Sequence, residues 1–204
     1  MFAVGHLAFG YLLAKATAKI LRIGEIDLPT VFMLSVIPDV DLVIPMLPHR
    51  GPTHSLILLA LFFVPFYFRE GKIIVPYFVA LFQHSAVGDF STSMGVMCLW
   101  PFSSEFYGLG VDMMGTVDLL AEGLSFLAAF ALAVSAGDVR RIFKIKETFL
   151  FLVPPLGALF PVLLGKLPVP AGLIVPHCVL FTFFVGGFIA GVHNVVVGFF
   201  SRRN

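Results

Sequence analysis

The 204 residues are 59% hydrophobic and only 12% charged, with a mean hydropathy of +1.01. Soluble domains carry about 25% charged residues, so this composition excludes an ordinary soluble domain and defines an integral membrane protein. A net charge of +1 with no basic patch excludes nucleic acid as a partner. Cys98 and Cys178, the only two cysteines, do not make a disulfide framework.

A membrane span needs about 20 apolar residues. Apolar runs place helices at 2–20, 29–46, 54–69, 73–93, 113–136, 147–165 and 172–200. The expected fold is an all-α polytopic membrane helical bundle of about seven spans, one or two of them broken or short. It forms a single domain over 1–204, with residues 1–105 as the half that holds four of the six histidines and 106–204 as supporting helices. The first cation is Lys15, so the N-terminus lacks the basic region of a signal peptide, and residues 1–20 are expected to stay, carrying His6.

The second helix contains Pro38, Asp39 and Asp41 and should break near its end, which membranes tolerate only where backbone faces protein or a wet cavity. Next comes His49-Arg50-Gly51-Pro52-Thr53-His54, at the brink of an apolar run from Ser55 to Phe68. Gly51 and Pro52 interrupt any helix, and Thr53 is suited to cap the one that follows. That third helix is short, about 24 Å at 1.5 Å per residue. A helix in lipid has no structural use for His, Arg and His at its mouth, unless they bind a metal, a partner or a substrate. The plainer alternative is an anchor whose polar ends snorkel to headgroups.

In the fourth helix, His84 and Asp89 lie in a run from Ile73 to Trp100 that otherwise lacks charge, with Gly88 loosening the backbone. Ionisable groups buried at that depth point to function. Asp118 and Glu122, four apart, share one face of the fifth helix and offer a ligand or a carboxylate partner for a ligating histidine. Trp100-Pro101-Phe102 has the character of an interfacial anchor. His177 and His193 belong to core or interface, and Gly186, Gly187, Gly191 and Gly198 allow close helix approach in the last segment.

Seven spans would put Lys15, Lys19, Arg22, Arg69, Lys72, Arg140, Arg141, Lys144, Lys146, Arg202 and Arg203 on one side, with only Arg50 and Lys166 on the other. The positive-inside rule then sets the N-terminus outside and the C-terminus in the cytoplasm. This orientation, fixed from Lys and Arg alone, gathers His6, Asp39, Asp41, His49, Arg50, His54, His84, Asp89, Asp118 and Glu122 at one depth on the outer side. Imidazole with carboxylate suits zinc, manganese or iron, and the absence of thiolates argues against a structural zinc knuckle.

Gly5-His6, Ile37-Pro38-Asp39-Val40-Asp41, His49-Arg50-Gly51-Pro52-Thr53-His54-Ser55, and His84 followed by Asp89, Thr92 and Gly95 together resemble the YdjM-type family. That family is described as membrane-bound, metal-dependent hydrolases, some labelled LexA-binding and inner-membrane-associated. The resemblance spans roughly residues 1–105. It implies that His6, Asp39, Asp41, His49, His54, His84 and Asp89 form a metal site; Thr53, Thr92, Asp118 and Glu122, read from their own placement, are expected to support it. One departure stands out: His84 and Asp89 are five apart where the family pattern is expected to space them by four. A π-bulge at Gly88 would return both to one face. A more distant similarity to zinc-dependent phospholipases C ranks phosphoesters first among substrates.

The expectation is a multi-pass cell-membrane (plasma or inner) hydrolase holding one or two divalent ions, zinc first, and acting on a lipid or small-molecule ester at the outer interface. Asp41 or Asp89 would accept the proton, and Arg50 would bind a phosphate through its planar fork. Its rivals are a metal that merely staples helices in a structural or regulatory protein, and a metal-ion transporter. The cytoplasmic half carries too few polar groups to make a transport pathway.

Overall fold

The computed structural model describes residues 1–144, 149–163, 165 and 168–201. Lys146, Lys166, Arg202 and Arg203, which contribute to the cation asymmetry, lie outside the described residues.

The first helix, α1 (Ala3–Ile20), is the one the others pack around. Its buried face runs through Leu7, Gly10, Tyr11, Ala14 and Ala18, where small residues recur every fourth position and let neighbours come close. A Cβ at Gly10 would come within 2.8 Å of Ser35 Cβ, so α1 and α2 (Leu28–Val36) touch there only because glycine has no side chain. Asp27 caps α2 by accepting the Thr30 N–H at 2.9 Å, and Pro29 occupies the first turn without leaving a donor unpaired. The predicted break at Pro38 is present: the chain leaves α2 into a tight 3-10 turn, Ile37–Leu42.

A second short turn, Pro52–His54, leads into α3 (Leu56–Glu70). Ser55, not Thr53, caps that helix by accepting the Leu58 N–H, because Thr53 is engaged elsewhere. Next, α4 (Val75–Gln83) passes directly into a π-helical turn, His84–Asp89. The loop from 90 to 115 is closed by two isolated bridges, Thr92 with Val111 and Val96 with Tyr107. It leads to α5 (Thr116–Ser135) and the short α6 (Asp138–Ile142). The single helix expected over 147–165 is instead a 3-10 turn at Phe149–Leu152, a π-turn at Pro154–Leu159, and α7 (Phe160–Leu163). Pro154 and Pro155 remove the donors that a continuous α-helix would need. The chain ends in α8 (Ala171–Ser201).

The seven expected spans are therefore corrected. Among the described residues two helices are long and apolar enough to cross a membrane, α5 over Thr116–Ser135 and α8 over Ala171–Val197. With 9, 15 and 9 residues, α2, α3 and α4 fall short of the roughly 20 a span requires. The apolar runs are present, but the turn at Pro38 and the π-turns at His84–Asp89 and Pro154–Leu159 cut three of them into pieces. In exchange, those breaks bend the chain back on itself at one end of α1.

Candidate metal centre

Four ligand atoms converge where those breaks meet. The Ile37–Leu42 turn supplies Asp39, the Pro52–His54 turn supplies His54, and the π-turn supplies His84 and Asp89. A π-turn closes i to i+5 bonds, seen here as Phe90 N–H donating to Ser85 O at 3.1 Å. His84 and Asp89, five apart, thereby reach one point. His54 Nε2 lies 3.1 Å from His84 Nε2, 3.2 Å from Asp89 Oδ2 and 3.5 Å from Asp39 Oδ1. His84 Nε2 is 3.4 Å from each of Asp39 Oδ1 and Asp89 Oδ2. Five of the six edges of a tetrahedron are thus fixed at 3.1–3.5 Å, and the sixth is within 4.8 Å. A tetrahedron of that size has its corners about 2.0 Å from its centre, the distance at which a divalent metal takes nitrogen and oxygen.

The tautomers follow from the remaining bonds. His84 Nδ1–H donates to Ser35 O at 2.8 Å, leaving Nε2 with a lone pair. Thr53 gives its hydroxyl proton to Asp41 Oδ2 at 2.8 Å, so His54 Nδ1–H donates to Thr53 Oγ1 at 3.0 Å and lies 3.3 Å from Asp41 Oδ2. His54 Nε2 is left bare as well. Two imidazole lone pairs and two carboxylate oxygens then face one another, with Asp89 Oδ2 buried and without a hydrogen-bond partner among the described residues. Such an array is repulsive unless a cation or a proton sits within it. His54 and His84 are wholly buried. The cluster can hold a metal ion, and the supporting bonds to both Nδ1 atoms are those that fix a ligating histidine in other metal sites.

Electrostatics outside the membrane-crossing helices agree. Burial disfavours charge on His54, yet Asp39, Asp41 and Asp89 around it raise its affinity for a proton well above the ordinary 6.5. Burial would raise the Asp41 carboxyl too, but hydrogen bonds from His49 and His54 hold it down at about 2. Where a metal is absent, a proton takes its place.

The other expected residues divide clearly. His49 Nδ1 donates to Asp41 Oδ1 at 2.9 Å and joins Asp39 and Asp41 in a second, more open group of ligand atoms. Besides Thr53, the Arg50 backbone N–H also donates to Asp41 Oδ2, at 3.0 Å. His6 belongs to neither group: its Nε2 donates to Asp89 Oδ1 at 3.2 Å while its ring stacks on His84 at 3.7 Å. It therefore orients Asp89 from outside the cluster. Arg50 is buried, with Nη2 2.9 Å from Asp89 Oδ1 and Nη1 bonded to Thr92 Oγ1. Glu122 supports no histidine. Its two oxygens accept the Phe2 and Gly5 N–H groups at 2.6 and 3.0 Å, capping α1 from a neighbouring helix and so placing His6. Asp118 is buried, with Oδ2 unpartnered among the described residues.

Some participants carried no signal in the sequence. Met113 Sδ accepts from Arg50 Nη2 at 3.3 Å. Gln83 donates to His6 O at 3.1 Å, and Ser35 contributes only a backbone carbonyl. Away from the centre, Asp138 Oδ2 is held at 2.7 Å by both the Tyr11 hydroxyl and Lys15 Nζ.

The structure defines an all-helical membrane-type protein with a buried histidine–aspartate cluster able to hold a metal ion. Over residues 1–153 the chain matches the family described as YdjM inner membrane protein, and it belongs to that family. The match extends past residue 105 to include α5 and α6. No curated protein and no solved structure matches the chain.

Proposed function

We propose that this protein is a membrane-bound, metal-dependent hydrolase acting on a phosphoester or lipid-like substrate at the outer face of the membrane. The observation that carries this reading is the tetrahedron of His54, His84, Asp39 and Asp89 opening onto a cavity of about 290 Å³ that Asp39, His49, Arg50 and Asp89 all line. A divalent ion held there, zinc first with manganese and iron as rivals, would supply Lewis acidity and, by accepting a further donor from the cavity side, would lower the pKa of a water.

The chain's own residues do the rest. Arg50 leaves Nε without a partner and turns Nη2 partly to a thioether, a weak acceptor. Those two N–H groups form one edge of the guanidinium, the edge that matches two phosphate oxygens. Asp89 holds Arg50 through one oxygen and the cluster through the other. Asp41 is an unsuitable base, because its Oδ2 faces three donors and its Oδ1 takes the His49 N–H. It is a positioning residue for His49, whose Nδ1 is committed and whose Nε2 remains to take the proton of the attacking water and return it to the leaving oxygen.

A second reading has its own support: four buried ligand atoms drawn from three turns are also what a structural staple would require. A screen of phosphodiester, phosphomonoester and acyl-ester substrates, run on metal-loaded protein in detergent, separates the two. Hydrolysis is expected, with both turnover and metal lost in His54→Ala and Asp39→Ala. Metal binding without turnover of any ester class would leave the staple, and unchanged metal content in both variants would remove both readings.

A further inference from the structure

The cavity beside the cluster is polar only in part. Leu42, Met94, Met113, Met114, Ala158 and Val162 contribute a continuous apolar lining drawn from the 3-10 turn, the 90–115 loop and the α7 region. We propose that this lining is a subsite for one acyl chain, so that the substrate is an anionic lipid whose phosphate meets Arg50 while its chain lies among the methionines. The proposal rests on the hydrolase reading only for where the ester sits.

Three features select this occupant. The volume of about 290 Å³ lies at the lower limit for ligand sites and has room for a phosphate with the first part of one chain rather than for two chains. Three methionines form the lining, and their unbranched, flexible thioethers adapt to a chain of variable length better than branched side chains do. Arg50 offers the phosphate a donor, since it lines the same cavity with a buried Nε that has no partner among the described residues, and a cation in the cluster would offset Asp39 and Asp89, which line the cavity with Asp112. Met113 joins the two ends. Its sulfur holds Arg50 Nη2 at 3.3 Å, so a chain that displaces Met113 frees that N–H for a phosphate oxygen as it enters. The loops bordering the cavity also expose apolar tips, with Met46 fully exposed, Phe102 at 84% and Leu109 at 72%. Such tips suit a site that takes its substrate from the bilayer rather than from water.

The test uses the full chain in lipid nanodiscs and measures equilibrium binding of methylphosphonate and octylphosphonate, neither of which is hydrolysed. Octylphosphonate is expected to bind at least about tenfold more tightly after correction for bilayer partitioning. Met94→Trp and Met114→Trp, at exposed positions that tolerate bulk, should each lower the octyl-to-methyl affinity ratio by about tenfold. Equal affinities for the two phosphonates, or a ratio unmoved in both variants, would overturn the subsite. Because neither probe turns over, the subsite can stand where the ester screen finds no hydrolysis. Conversely, hydrolysis can stand where the ratio shows no subsite.

Discussion

Gly88→Ala isolates the contact that seats His6 against the π-turn. A Cβ at this position would collide with His6 Cε1 and lie 2.7 Å from His6 Nδ1, whereas ordinary contact begins at 3.4 Å. The interior is close-packed, so the imidazole must retreat by at least about 0.7 Å or the π-turn must open. His6 Nε2 is 3.2 Å from Asp89 Oδ1, and a retreat of that size takes the pair beyond hydrogen-bonding distance. Overpacking of this kind costs about 1–3 kcal/mol, while alanine returns no more than about 1 kcal/mol of helix propensity. The metal-free protein should therefore lose about 1–2 kcal/mol, and Asp89, a ligand deprived of its orienting partner, should hold metal several-fold less tightly. Gly123→Ala is the control, since nothing lies within 4 Å of its added Cβ. Thermal unfolding in detergent and metal competition against a chelator read both effects. Gly88→Ala should fall below wild type in each assay and Gly123→Ala should not. If the two variants behave alike, His6 is not seated as described.

Further outcomes follow from the same geometry. Asp41→Asn removes the carboxylate beside His54 Nδ1 and should weaken metal binding about 10- to 100-fold, measured by the same competition; unchanged affinity would mean that Asp41 does not orient His54. Although burial opposes it, the surrounding aspartates hold His54 protonated above 6.5 when metal is absent. That charge stabilises the metal-free fold fully below 6.5, and the benefit fades as pH rises through the raised folded value. Metal must displace the proton, so affinity should rise about tenfold per pH unit through that window, with proton release visible by calorimetry in buffers of different ionisation enthalpy; a pH-independent affinity would contradict this. Glu122→Leu strands the Phe2 and Gly5 N–H groups and should cost about 1–3 kcal/mol for each, read as a lower unfolding temperature; a fully stable variant would deny its capping role.

How much of this was legible in the sequence depends on the range of the signal. Local signals carried well: Pro38 stopped α2, Gly51-Pro52 broke the chain before α3, and the five-residue spacing of His84 and Asp89 anticipated a π-turn at Gly88. The gathering of His54, His84, Asp39 and Asp89 was accessible through the motifs shared with the YdjM-type family, whereas the cation asymmetry that put them at one depth presumed seven spans. Span count was not, since hydropathy measures the run and not the turn inside it, and a π-turn leaves no mark in composition. Partner assignments failed for the same reason. Glu122 has the chemistry to support a histidine, but only the packing of α5 on α1 shows that it caps backbone instead. Thr53 has the chemistry of a cap, and the approach of Asp41 claims its hydroxyl first. His6 has the chemistry of a ligand, and the stacking on His84 turns it toward the outer oxygen of Asp89.

The claim on which the account stands is that His54, His84, Asp39 and Asp89 enclose a cation. Elemental analysis of detergent-purified protein after gel filtration, set beside His84→Ala and Asp39→Ala variants of matched folding, tests it most directly. A stoichiometric divalent metal is expected in the parent protein, with its loss from both variants. Protein that folds and purifies without any metal, or variants that keep the full complement, would contradict it.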